Sequence, residues 1–199
     1  MKKTRRKFIV MLSLVCVLSV TSALLLALAP PPLSESQAFD SLSAADSAPN
    51  AAADLASSLL HTHQPTQPGH WKYIYIHQSG TPFGAAAGLG DHFLIGNGHG
   101  SIDGQIQMTQ HWNNQTAAVA PPGVSSIDPD CISICLIGNL DAKPPTALQT
   151  HRVAELVSSL QGQLDIGSDK VYFVSDAKAG VAGIGNKFPA AELRAQLLP

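Results

Sequence analysis

The stretch Trp71-Lys72-Tyr73-Ile74-Tyr75-Ile76-His77-Gln78-Ser79-Gly80 alternates side chains with a period of two and is rich in aromatic and β-branched residues. Ile74 and Ile76 fall on one face of the strand it predicts, and Tyr73, Tyr75 and His77 on the other. Neither face is charged, which suits a strand in a sheet covered on both sides. Gly80 to Gly90 is glycine-rich. Short strands are then expected at His92–Ile95 and Gln105–Met108, with Gly96-Asn97-Gly98 supplying the positive φ of a hairpin-type turn. Ile132–Ile137 reads as a buried strand ending at Gly138-Asn139. Pro144-Pro145-Thr146 opens the clearest helix, with Thr146 as cap and Gln149 closing a capping box. Val153, Leu156, Val157 and Leu160 hold the i, i+3, i+4, i+7 spacing of a core face, and Gly162 is the expected stop. Val171–Val174 predicts another strand and Pro189–Leu197 a closing amphipathic helix. Strands interleaved with helices define an α/β (α+β) domain with a single mixed β-sheet flanked by helices.

Residues 69–199 carry this pattern. Residues 30–68 are rich in Ala, Ser, Pro, Gln and Asp, and with so few large apolar side chains they read as a flexible linker. Ala51 to Leu60 is their one stretch suited to a short helix. Residues 1–29 open with Lys2, Lys3, Arg5, Arg6 and Lys7 and continue without charge from Phe8 to Ala29. A helix over residues 8–28 spans about 31 Å at 1.5 Å per residue, enough to cross a bilayer core. The segment therefore reads as a signal anchor, with a cleaved signal peptide as the alternative. In either case the basic end stays in the cytoplasm and the rest is exported. An anchored chain sits in the cell envelope with its domain outside the cytoplasm; a cleaved one is secreted.

Five of the chain's 12 basic residues lie in that leader, so the remainder sets 7 basic against 14 acidic residues, a balance of −7. Such a body lacks the basic stripe that neutralises phosphates, which excludes nucleic acid as a partner. The three cysteines form no disulfide framework. Cys16 lies in the apolar leader, and Cys131 and Cys135 on one strand would stand about 13 Å apart, too far to bridge. There is no Cys-x-x-Cys pair and no Gly-x-Ser-x-Gly elbow. His61 and His63 read as solvated linker histidines, because no third ligand stands near them in the sequence.

Six stretches, in order, resemble the N-acetylmuramoyl-L-alanine amidase and peptidoglycan-recognition-protein family. Trp71 to Gly80 is similar to its opening strand. His92-Phe93-Leu94-Ile95-Gly96-Asn97-Gly98 and Asp103-Gly104-Gln105-Ile106 resemble its second and third strands. Trp112 and Gln115 resemble its Arg-Trp-x-x-Gln segment. Ile134-Cys135-Leu136-Ile137-Gly138-Asn139 resembles its Ile-Cys-Leu-Val-Gly strand, followed by its long helix. Asp176 to Pro189 resembles its His-Arg-Asp-x-Lys…Cys-Pro-Gly-x-x-Phe-Pro tail. The resemblance implies a zinc ion held by two histidines and a Cys or Asp, with an open position for water. That metal activates water against the amide between muramic acid and L-alanine.

Carried over residue by residue, the family's chemistry meets departures. His77 falls on the first zinc ligand. The second is replaced within Val174-Ser175-Asp176 and the third within Gly183-Ile184-Gly185. The second His of the opening pair is Gln78, and Asp91 stands where the family has Tyr. The expectation is thus a catalytically impaired domain with His77 as a remnant ligand and no cofactor, binding peptidoglycan or muropeptide. One alternative is an active zinc amidase whose metal site is rearranged onto His77, Asp91 and Asp176; another is a structural envelope protein without a ligand. Gln78, His92, Asn97 and Trp112 are the candidate substrate contacts by position, although for His92, and for His99 in its Gly-rich turn, a satisfied or solvated histidine is the plainer reading.

Overall fold

The computed structural model describes residues 40–42, 55, 57–59, 61–67, 69–81, 90–121, 126–173 and 183–199. The leader at 1–29, the Gly-rich stretch from 82 to 89 and Asp176 lie outside them. Among the described residues, no helix is long and apolar enough to cross a membrane.

Six strands form a single mixed sheet: β1 (Asp40–Leu42), β2 (Tyr73–Gln78), β3 (Phe93–Ile95), β4 (Ile106–Met108), β5 (Cys131–Leu136) and β6 (Val171–Phe173). Their spatial order is β1-β4-β3-β5-β2-β6. The centre is parallel: β5 runs beside β2 and β3, and β2 beside β6. β4 is antiparallel to both β3 and β1. The turn expected at Gly96-Asn97-Gly98 is part of a longer connection, residues 96–105, between β3 and β4. Within it Gly98, Gly100 and Gly104 have positive φ. Gly104 also lets the helix come close, since a Cβ there would lie 2.4 Å from Leu148 Cγ.

The helices are α1 (Gln110–Asn113), α2 (Ala147–Leu164) and α3 (Ala190–Arg194). Thr146 and Gln149 form the expected capping box at the start of α2. The helix passes through Gly162 and ends at Leu164, where Asp165 takes the left-handed conformation and its N–H returns to Gln161. An isolated glycine costs a helix only about 1 kcal/mol, and Gln161 offsets this by bonding Ile166 and Leu198 beyond the helix end. The closing helix is shorter than the expected Pro189–Leu197. Val153, Leu156, Val157 and Leu160 are fully buried. They share a core with Ile74 and Ile76 of β2, Ile132, Ile134 and Leu136 of β5, and Leu193 of α3. Each such side chain contributes about 1.5–3 kcal/mol on burial.

Part of the expected linker belongs to this fold. Asp40–Leu42 pair with Ile106–Met108, and residue 55 and residues 57–59 are helical. Leu55 and Leu59 lie in the main core with Trp112, whose Nε1 donates to the Leu59 carbonyl at 3.1 Å. The low apolar content of residues 30–68 hides this, because two leucines one helical turn apart suffice to dock a short segment. Within the expected linker, residues 40–42 thus pair with the sheet and Leu55 and Leu59 pack in its core. His61 and His63 are exposed.

Candidate functional site

The two faces of β2 differ in kind. Ile74 and Ile76 enter the core under α2. Tyr75 and His77 point to the opposite face and stack with ring centroids 5.3 Å apart. The β2–β5 register sets Tyr75 beside Ser133 and His77 beside Cys135, and Cys135 in turn pairs with Leu94. Cys135, Leu94 and Ile137 form a small apolar cluster separate from the main core. Cys131 and Cys135 are free and buried.

Asp91, just before β3, reaches into this face. Its Oδ1 lies 2.8 Å from His77 Nε2 and accepts from the Ser133 hydroxyl. Its backbone carbonyl accepts from the Thr109 hydroxyl at 2.5 Å. The other ring nitrogen of His77, Nδ1, lies 3.1 Å from the Gln78 carbonyl oxygen. Donor atoms of His77, Asp91 and Cys135 all lie within 4.8 Å of one another. The three residues are 2 %, 3 % and 0 % exposed. Burial, and then the neighbouring Asp91 carboxylate, pushes the Cys135 thiol well above its ordinary range. The same two causes push the Tyr75 hydroxyl up to about 12.

His77, expected as a remnant ligand, has two further donors beside it. Strand register and the approach of Asp91 gather a nitrogen, a carboxylate and a thiol, a group that could hold a metal ion. For zinc, the ion the resemblance implies, these donor types fit. Tetrahedral bonds of 2.0–2.3 Å place ligand atoms roughly 3.3–3.7 Å apart, so His77 Nε2 and Asp91 Oδ1, now 2.8 Å apart, would separate by about 0.5 Å while the widest pair, within 4.8 Å, draws in by up to about 1 Å. Asp91 was legible as a candidate ligand; Cys135 was not, because sequence alone does not give the register of β2 against β5. The alternation of Cys131, Ser133 and Cys135 is the signal that puts all three on one face.

The candidate substrate contacts are placed unequally. His92 is fully buried: its Nδ1 accepts from the Ser133 backbone N–H at 2.9 Å, so Nε2 carries the proton and donates to the Thr116 carbonyl at 2.9 Å. Burial lowers its pKa to about 4, although the bond to Thr116 acts the other way. Trp112 is buried against Phe93 and Trp71. Both are buried, His92 0 % and Trp112 1 % exposed. Gln78 is buried too, donating to Asp141 Oδ2 at 2.8 Å and accepting from the Leu140 backbone N–H. Asn97 is half-buried and its Oδ1 accepts from the exposed His99 backbone N–H at 2.9 Å.

Asn97 and His99 line a cavity of about 350 Å³, together with Gly138, Asn139, Leu140 and Thr146. It lies beyond the carboxyl ends of β3 and β5, where open sheets with parallel strands characteristically take ligands. A larger cavity of about 660 Å³ sits at the other end of β2, between Trp71–Tyr73 and the segment from Gln163 to Lys170. Position, not size, favours the first.

No protein-family model and no curated protein matches this sequence. Among solved structures, the PGRP-Hd of Alvinella pompejana aligns over 69 % of this chain and 90 % of its own, with 14 % identity and a TM-score of 0.42. The N-acetylmuramoyl-L-alanine amidase LysC of Clostridium intestinale URNW aligns over 66 % of this chain and 89 % of its own, with 17 % identity and a TM-score of 0.43. The endolysin amidase LysCS of the same organism covers 65 % and 86 %, at 18 % identity and a TM-score of 0.40. At these values the likeness is descriptive, and the chemistry rests on this chain's own residues.

Proposed function

We propose that this chain is an exported, amidase-like domain that binds peptidoglycan fragments without cutting them, held at the cell envelope by residues 8–28. The observation that carries this reading is the cavity at the carboxyl ends of β3 and β5, lined by Asn97, Asn139 and Thr146. Amide and hydroxyl side chains there suit the amides and hydroxyls of a muropeptide, and the apolar wall of Leu140 and Pro144 suits its methyl groups. The six family-like stretches support the same reading, because those that fall on described residues supply β2, β3, β4, α1, β5 and α2.

Impaired hydrolysis follows from the burial of the only gathered donor set among the described residues. Amide cleavage needs an electrophile that a substrate carbonyl can reach, whereas His77, Asp91 and Cys135 are closed off and hydrogen-bonded inward. The second reading, an active zinc amidase with a rearranged site, shares His77 and Asp91 with that set and takes Cys135 in place of the expected Asp176. Zinc held there would supply Lewis acidity and an acidified water.

Calorimetric titration of the full chain with a soluble muropeptide tests the proposal. Saturable heat is expected, and an Asn139→Trp variant that fills the cavity should lose it. Absence of heat with the unaltered chain would favour a structural envelope protein instead.

A further inference from the structure

We infer that His77, Asp91 and Cys135 bind a divalent transition-metal ion, a site set inside the sheet and different from the one the family resemblance implies. The resemblance draws two of its three ligands from the tail, at positions now occupied by residues that do not ligate. The present set draws on β2, the turn before β3, and β5. It does not depend on peptidoglycan binding.

Two observations point to a cation. The first is the convergence of three chemically different donors, each at least 97 % buried, within 4.8 Å. The second is the environment of the imidazole. Both ring nitrogens of His77 face acceptors: Nδ1 faces the Gln78 carbonyl at 3.1 Å and Nε2 faces Asp91 Oδ1 at 2.8 Å. With Nδ1–H on the Gln78 carbonyl, Nε2 and Asp91 Oδ1 are the atoms a metal ion would take as ligands, and their 2.8 Å contact would open by about 0.5 Å to admit it. A backbone carbonyl on the far nitrogen is the usual support of a ligating histidine. The Ser133 hydroxyl donates to the same Asp91 Oδ1, and the Thr109 hydroxyl holds the Asp91 backbone carbonyl.

The donor set selects the metal class. A thiolate with an imidazole and a carboxylate suits zinc or cobalt and disfavours magnesium and calcium, which take oxygen ligands. Binding exchanges the Cys135 S–H bond for an S–metal bond and releases that proton to solvent, so affinity rises with pH.

The test uses the full chain titrated with cobalt(II), followed by zinc. The inference expects about one ion per chain, a thiolate-to-cobalt charge-transfer band that zinc abolishes, and a Tm that rises with zinc. The band should vanish in Cys135→Ala and His77→Gln and persist in Cys131→Ala, each variant first checked for a cooperative thermal transition. If Cys135→Ala does not fold, Asp91→Asn takes its place, with loss of the zinc-induced Tm rise as its readout. No stoichiometric metal, or a cobalt complex without a thiolate band, overturns the inference. So does a band that survives Cys135→Ala.

Discussion

The two faces of the sheet are built by opposite rules. Under α2, Ile74, Ile76, Ile132 and Ile134 meet Leu156 and Leu160 in an apolar core. On the other face, the same two strands bury Tyr75, His77, Ser133 and Cys135, which with Asp91 form a polar set. The first face needs only side chains of suitable size and hydrophobicity. The second requires each polar atom to find a partner, because an unmet one costs about 1–3 kcal/mol. Stability should therefore reside under α2, and any chemistry on the face opposite.

The largest effects are expected on the apolar side. Leu156→Ala and Leu59→Ala should each lower unfolding free energy by roughly 2–5 kcal/mol in urea titration. For Leu59 the result also decides whether the segment before residue 69 belongs to the fold; a change below about 0.5 kcal/mol would return it to the linker.

Acid should act through the boundary between the faces. His92 is buried neutral with a pKa of about 4, against about 6.5 when unfolded. The unfolded chain thus binds the proton more readily, and stability falls as pH drops. The contribution is intact above pH 6.5, declines between 6.5 and 4, and is lost below that, about 3 kcal/mol in all. Urea midpoints of the full chain and of His92→Gln across this window should converge as the pH falls.

Gln149 ties the helix to the sheet. Its side-chain amide donates to the Ile95 and Ile137 carbonyls and accepts from the Thr146 N–H. Gln149→Ala should cost about 2 kcal/mol, since two buried carbonyls lose their donor. Thr146→Ala should cost about 1 kcal/mol, the usual loss of a helix cap. Both are measured by the same denaturation series, and a reversed order would place the cap above the bridge.

The apolar face was legible in the sequence. The period-two run at Tyr73–Gln78 and the i, i+3, i+4, i+7 spacing of Val153 to Leu160 name its residues without any knowledge of pairing. The capping box could also be read, because its partners are three residues apart. The polar face was half legible. His77 and Asp91 stand 14 residues apart and were linked only through the resemblance, while the part of Cys135 depends on a parallel register set by residues distributed over the whole chain. The burial of His92 and Trp112 was not legible, since local sequence does not show which aromatic side chains turn inward. The docking of Leu55 and Leu59 was missed because composition averages over a segment, whereas two well-placed leucines decide it.

The most direct measurement incubates the full chain with purified peptidoglycan sacculi. It reads both the protein retained in the pellet and the stem peptide released by cleavage at the muramoyl–L-alanine amide. Saturable retention without release is the predicted result. Stem-peptide release above the blank, or a chain that stays in the supernatant at every sacculus concentration, would contradict it.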